Sequence, residues 1–145
     1  MTGAAIPEGF ERHFRQSPLT DPWEPIYSKR TADAVIIGLR LATPHTNSRG
    51  LIHGGLITAL ADNAMGLSCA ARLDTARLDS QGSRLLTVSL SIDFVGTAQV
   101  GQWLAVETVV IKAGGTLCFA QCLVTADGAN IARASATFSV LKKKE

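Results

Sequence analysis

The sequence predicts an α+β domain in which a curled antiparallel sheet is wrapped around one long central helix. Three observations lead there. First, a run of about twenty residues from His53 to Arg72 sets Leu56, Ala59, Leu60, Ala64, Leu67 and Ala71 at three- and four-residue steps, and apolar side chains on most of a helix circumference require burial. Second, from Leu85 onward the pattern switches to period two, with Leu86, Val88, Leu90, Ile92 and Phe94 alternating with Thr87, Ser89, Ser91 and Asp93, as a half-buried strand requires. Third, the later strand-like runs are separated by short turn sequences such as Ala113-Gly114-Gly115 and Asp127-Gly128-Ala129-Asn130. Consecutive hairpins build an antiparallel sheet, and a lone apolar helix escapes water only where that sheet covers it.

In chain order, residues 1–24 form an N-terminal lead-in. Pro7 to Gln16 is predicted as a short amphipathic helix whose stripe is Phe10 and Phe14, four apart. Three prolines between Ser17 and Pro25 then exclude regular pairing. Ile26 to Lys29 and Ala34 to Leu41 read as two strands around a turn near Ala32-Asp33, and Ala42 to Ile52 is a loop delivering the chain to the helix. Beyond Arg72, the polar stretch Leu73 to Ser83 is predicted as a mobile connector. After the strand from Leu85, Gly96 to Gly101 turns the chain into Gln102 to Lys112, and the two hairpins lead through Thr116 to Thr125 and Ile131 to Leu141. On the last strand Ala132, Ala134, Ala136, Phe138 and Val140 share a face, small enough for a helix to approach.

A chain of 145 residues with 46% hydrophobic and 18% charged content fits one domain, residues 1–145. The formal net charge of +2 is small and the basic residues are scattered, which excludes a nucleic-acid footprint. The first eight residues lack the basic and apolar regions of a secretory signal. Cys118 and Cys122, four apart in a strand, lie roughly 13 Å from one another at about 3.3 Å per residue, too far to bond. The expectation is a cytoplasmic protein with Cys69, Cys118 and Cys122 as buried hydrophobes. Asp62 and Asn63 in the middle of the apolar run argue against a membrane span. No Cys/His cluster has metal spacing and no GxGxxG follows a strand, so neither metal nor redox cofactor is expected.

Asp62 demands a reason. An unpaired carboxylate within an apolar interior costs several kcal/mol unless it is hydrogen-bonded or neutralised. A structural role, capping a loop or pairing with an Arg, accounts for it as well as a chemical one does. At the head of the helix, Gly54 and Gly55 occupy the first turn, where backbone N–H groups have no intrahelical partner and the dipole favours an arriving negative charge. The glycines read equally as tight packing at a loop-to-helix junction. His53 and Asn47 taken singly read as a helix cap and a turn residue.

Together these residues carry a resemblance. Asn47-Ser48-Arg49-Gly50-Leu51-Ile52-His53-Gly54-Gly55 followed by Asp62 resembles the motif of the hotdog-fold acyl-CoA thioesterases of the phenylacetate-degradation (PaaI-like) type, and the similarity runs from about Asp21 to Leu141, including Gly101. The resemblance implies hydrolysis of a fatty or aromatic acyl-CoA to free acid and coenzyme A, coenzyme A being part of the substrate. It makes the Gly54 N–H the donor that polarises the thioester carbonyl, with Asn47 helping to hold the carbonyl end. Asp62 becomes the nucleophile or the general base for water, and His53 shapes the site. Where some relatives place a hydroxyl one turn after the acid this chain has Gly66, and Thr87, at the start of the following strand, is the matching alternative. Thr87 faces opposite Leu86 and Val88, and an ordinary strand threonine is the competing reading. Gly55, Leu56 and Met65 are expected to meet substrate. Basic residues at the mouth, among Arg84, Lys112, Arg133 and Lys142 to Lys144, are candidates for the coenzyme A phosphates.

Spacing adds a constraint. The nine residues from His53 to Asp62 span roughly 13 Å and two and a half turns, so the two side chains leave opposite faces of one helix. A reacting carbon needs its partners within about 3–3.5 Å. One site must then combine Gly54 of one subunit with Asp62 of another, which a two-fold homodimer with antiparallel central helices provides. The resemblance implies the same, with dimers pairing into tetramers. Two rivals stand beside hydrolysis: a hotdog dehydratase or hydratase acting on acyl thioesters, and a non-catalytic acyl-CoA-binding sensor. The sequence does not name the acyl group.

Overall fold

Helix α1 runs from Gly54 to Ala76 and is the axis of the structure. The computed structural model describes residues 5–76 and 84–141. Seven strands surround the helix: β1 (Glu11–Arg12), β2 (Tyr27–Arg30), β3 (Val35–Arg40), β4 (Leu85–Phe94), β5 (Trp103–Ala113), β6 (Leu117–Ala126) and β7 (Ala129–Val140). They form one sheet in the order β1-β2-β3-β5-β6-β7-β4, with every pairing antiparallel. The architecture is the curled sheet around a central helix that the sequence predicts. Among the described residues no helix is long and apolar enough to cross a membrane.

The burial pattern follows the helical period. Leu56, Ile57, Leu60, Ala61, Ala64, Met65, Ser68, Cys69 and Leu73 are buried against the sheet, whereas Thr58, Ala59, Asp62, Asn63, Gly66, Leu67 and Ala70 make a half-open stripe on the other side. The inward rows of the sheet, Ile37 and Leu39 on β3, Leu104 and Val106 on β5 and Val124 on β6, complete the core. Ser68, buried on the helix, accepts the Val35 N–H at 3.0 Å, so no backbone donor is left orphaned there. The Asp127-Gly128 hairpin adopts left-handed backbone at both turn positions, φ +47° and +85°, the twist that a two-residue hairpin between right-handed strands needs.

Four expectations are corrected. Residues 7–16 are not a helix: Gly9 takes φ +90°, outside helical space, and Glu11–Arg12 pairs with β2 instead. Phe10 then packs edge-on against Trp103 and Phe14 under the Arg30 guanidinium, rather than both facing one way. The connector begins later than predicted, because α1 continues through Leu73, which is fully buried, to Ala76. Its remainder, 77–83, lies outside the described residues. Strands β4 and β5 do not form a hairpin: β3 occupies the edge of β5, and β4 crosses to pair with β7. The segment between them lies across the helix head, where Ile52 N–H donates to Ala98 O at 2.9 Å.

The fourth correction concerns the phase of β4. Its register with β7 slips between Thr87 and Ser89, so that Thr87 pairs with Phe138 and Leu90 with Ala136. Phe138 and Ala136 are both buried on the helix side of β7. Residues directly opposite in a sheet share a face, so Thr87 and Leu90 both point inward although they lie three positions apart, where regular alternation would put them on opposite faces. A β-bulge at Val88 takes up the extra residue. Leu86 and Val88, predicted on the buried face, are instead 58% and 61% exposed.

Candidate active site

The bulge has a chemical consequence. It turns the Thr87 hydroxyl toward α1, where Thr87 Oγ1 donates to Asp62 Oδ1 at 2.7 Å, a well-formed O–H···O length. Asp62 belongs to the half-open stripe and not to the sealed core, and it makes no ion pair among the described residues. The carboxylate is thus held by one neutral donor and open on its remaining lone pairs. Around it lies a cavity of about 190 Å³ lined by Arg15, Asn63, Gly66, Leu67, Ala70, Leu85, Thr87 and Phe138. Gly66 leaves this cavity open beside the acid, for a Cβ there would lie 3.4 Å from the Phe138 ring.

The head of the helix forms a second group. His53 is the N-cap: its carbonyl accepts from Leu56 and Ile57, and its ring Nδ1 accepts the Gly55 N–H at 2.8 Å. An accepting Nδ1 leaves the proton on Nε2. The ring lies so close that a Cβ on residue 55 would meet it at 2.9 Å and would have to displace it. The Gly55 donor is therefore occupied, while the Gly54 N–H has no acceptor among the described residues. Asn47 organises the approach. Its Oδ1 accepts from Arg49 and Leu51 at 2.9 and 3.1 Å and its own N–H reaches Leu51 O at 2.8 Å, so the side-chain carbonyl is spent on the loop and only the amide NH2 remains to donate.

Within one chain these two groups do not meet. Neither Asn47 nor His53, Gly54 or Gly55 lines the cavity at Asp62, and Gly54 lies about 12 Å up the axis from Asp62 at about 1.5 Å per residue. Two further expectations shift. Leu56 and Met65 are 2% and 0% exposed in the core and line no part of that cavity; the helical positions that do are Asn63, Gly66, Leu67 and Ala70. Of the basic candidates, Arg133 pairs with Asp93 at 3.0 Å on the exposed outer sheet and Lys142 to Lys144 lie outside the described residues. The cation that does line the cavity, Arg15, was hidden inside a segment read as a helix. No spacing rule reveals it, because it arrives through the fold of residues 10–17.

Two other histidines are structural. His45 is buried, accepting from Ala42 N–H through Nδ1 and meeting Trp23 O through Nε2, both at 2.9 Å. His13 is 5% exposed and its Nε2 bonds Asn63 Oδ1 at 3.1 Å. Burial pushes its pKa below the ordinary 6.5. The cysteines are free and buried, and loss of solvation raises all three, Cys122 to about 11. They stay protonated and are no nucleophiles. Among the described residues no three His, Cys, Asp or Glu side chains converge as a metal site would require.

Comparison with known proteins bears on this geometry. The profile of the thioesterase superfamily matches residues 49–132, the span from the helix-head loop to β7. The Pseudomonas aeruginosa protein PA0474, provisionally named an esterase, is 36% identical over 134 residues, covering 92% of this chain and 96% of that protein. Human acyl-coenzyme A thioesterase 13 is 34% identical over 85 residues, 59% of this chain and 56% of the relative. A Streptococcus pneumoniae thioesterase-type protein crystallised with coenzyme A superposes with a TM-score of 0.71 at 20% identity, over 83% of this chain and 88% of that one. A variant of the phenylacetic acid degradation protein PaaI from Thermus thermophilus gives 0.73 at 18% identity, over 86% and 100%. At such identities the structural likeness speaks for the shared hotdog fold.

Proposed function

This chain belongs to the thioesterase superfamily, and from that premise we propose that it hydrolyses an acyl-CoA to the free acid and coenzyme A, with Asp62 as the attacking group. It is a thioester hydrolase by family; the acyl-CoA substrate and the residue roles are the proposal. The observation that carries them is the Asp62 carboxylate held by Thr87 on one side and open to a cavity on the other.

The chemistry follows from the two groups. Asp62 supplies the attack, either by adding to the thioester carbon or by taking a proton from a water that does. Negative charge then develops on the carbonyl oxygen, and the bare Gly54 N–H at the positive end of a helix is the donor suited to it, such a donor being worth about 2.7–4 kcal/mol. The Asn47 amide steadies the same oxygen, and the His53 ring, by engaging Gly55, holds the helix head in shape. Collapse of the tetrahedral species breaks the C–S bond and expels the thiolate of coenzyme A; on the water route this leaves the free acid, and on the direct route it leaves an acyl–Asp62 anhydride that a water then hydrolyses to the acid, restoring the carboxylate.

Because Gly54 and Asp62 lie apart within one chain, we place each site between two copies related by a two-fold axis. Two features support this. The ten-residue strand β4 is an edge strand with Leu86, Val88 and Phe94 at least half exposed, and such edges seek a partner. The half-open stripe of α1 runs alongside it. Pairing of such dimers into tetramers and a cytoplasmic setting complete the reading.

The test is thiol release from short, long and aromatic acyl-CoAs. Asp62→Asn is expected to lower turnover by a factor on the order of 10² to 10⁴ while the melting temperature stays put. Activity retained in Asp62→Asn refutes the assignment. Binding of acyl-CoA without turnover by the wild type replaces the hydrolase with a sensor.

A further inference from the structure

We propose that Arg15, together with the side-chain amide of Asn63, forms an anion subsite on the rim of the Asp62 cavity that holds an anionic oxygen of the substrate, a phosphate of coenzyme A or a carboxylate carried by the acyl group. The inference rests on the acyl-CoA reading and deepens it.

Arg15 is the one cation among the residues lining this cavity, and it makes no ion pair among the described residues. Its place is built rather than accidental. On one side β1 pairs with β2, and the His13 N–H donates to Ile26 O at 2.9 Å. On the other, Ser17 O accepts from Thr20 and Asp21 at 3.1 and 2.9 Å, closing a turn. Between them Phe14 lies 4.1 Å beneath the Arg30 guanidinium. A segment anchored before and after Arg15 loses less entropy when that side chain meets a ligand than a free tail would.

Asn63 supplies the second donor for a stated reason. Its Oδ1 is engaged by buried His13 at 3.1 Å, so the atom left for a ligand is the amide nitrogen, a donor only. The remaining wall, Gly66, Leu67, Ala70, Leu85 and Phe138, is apolar. A guanidinium and an amide NH2 beside an apolar wall suit an oxyanion on an otherwise apolar ligand, since charge-assisted bonds from Arg to carboxylate or phosphate are among the stronger polar contacts. Asp62, the one carboxylate in the lining, bonds Thr87 and makes no ion pair with Arg15, whose guanidinium stays available.

The experiment compares wild type, Arg15→Gln, Arg15→Lys and, as a control for loss of one surface charge, Arg12→Gln. Substrates are butyryl-CoA, its N-acetylcysteamine thioester, which lacks the phosphates, and succinyl-CoA. Arg15→Gln is expected to raise KM about tenfold or more with kcat nearly unchanged, Lys to restore part of it, and Arg12→Gln to do nothing. Loss on butyryl-CoA but not on its N-acetylcysteamine thioester identifies a coenzyme A phosphate as the partner. Loss confined to succinyl-CoA identifies the acyl carboxylate. Unchanged KM throughout, or equal loss on all three esters, overturns the subsite. Calorimetric affinities of coenzyme A and succinyl-CoA for wild type and Arg15→Gln decide the same question without turnover, so an inactive wild type refutes hydrolysis and leaves the subsite to stand or fall separately.

Discussion

Replacing Thr87 by Val keeps the branched shape and strand preference of the side chain and deletes the hydroxyl that donates to Asp62 at 2.7 Å. A hydrogen bond to a charged group contributes about 1.5–3 kcal/mol. Thr87 is exposed at the cavity, so water can replace part of that, which favours the lower half of the range. What water does not replace is the direction of the carboxylate. A drop in kcat of about tenfold to thirtyfold is therefore expected, with KM little changed because the hydroxyl is engaged by the acid. Thr87→Ser keeps the donor and should recover most of the loss. The assay is steady-state thiol release for the three proteins, with melting temperatures to certify the fold. A Thr87→Val enzyme within twofold of wild type would refute the reasoning and return Thr87 to the rank of an ordinary strand residue.

Three other outcomes follow from the same geometry. Gly66→Ala should stabilise α1 by about 0.8–1 kcal/mol, the helix-propensity difference, since its Cβ meets Phe138 only at ordinary contact; it also narrows the cavity, so melting temperature should rise while kcat/KM falls for the bulkier acyl-CoAs first. Thiol reagents at pH 8 should leave Cys69, Cys118 and Cys122 unlabelled until the protein unfolds, because burial holds these thiols protonated; rapid labelling of the native protein would contradict their burial. His13 gives a pH signature. Burial lowers its pKa from 6.5, with the hydrogen bond to Asn63 and the nearby Glu24 opposing and Arg15 and Arg30 acting with burial, so as pH falls below about 6.5 the unfolded chain gains a proton that the folded chain resists and stability declines. Melting curves at pH 8 and pH 5.5 should separate in that sense, and His13→Gln, which can still donate to Asn63, should reduce the separation.

Much of this molecule was legible because its signals are local. The helix rests on periodicity within one segment, and the Asp127-Gly128 hairpin on two residues with the right backbone freedom, so Gly54 to Leu73 and β5 to β7 stand where the sequence puts them. What escaped depends on distant partners. The phase of β4 is set by a bulge against β7, which no alternation of Leu86, Val88 and Leu90 discloses. That bulge decides whether Thr87 faces the acid at all. Arg15 and His13 were unreadable for the same reason: Gly9 breaks the expected helix, and β2 then captures Glu11–Arg12. Leu56 and Met65, expected to meet substrate, are turned into the core by helical phase and packing, which depend on the sheet that covers the helix. Asp62 stood out because charge within an apolar helix is costly wherever that helix lies, although the half-open stripe shows that the cost is smaller than full burial would impose.

The central claim is that Asp62 works with the Gly54 N–H of a second copy. Proline is accepted at a first helical position and lacks the N–H, so Gly54→Pro, its fold verified by melting, removes the donor, while Asp62→Asn removes the attacking group. Each variant alone should be inactive. Unfolded together and refolded as a mixture, half of the dimers are mixed and each carries one intact site, so about one quarter of wild-type activity should return. A mixture that forms mixed dimers yet stays as inactive as its parents would contradict the shared site.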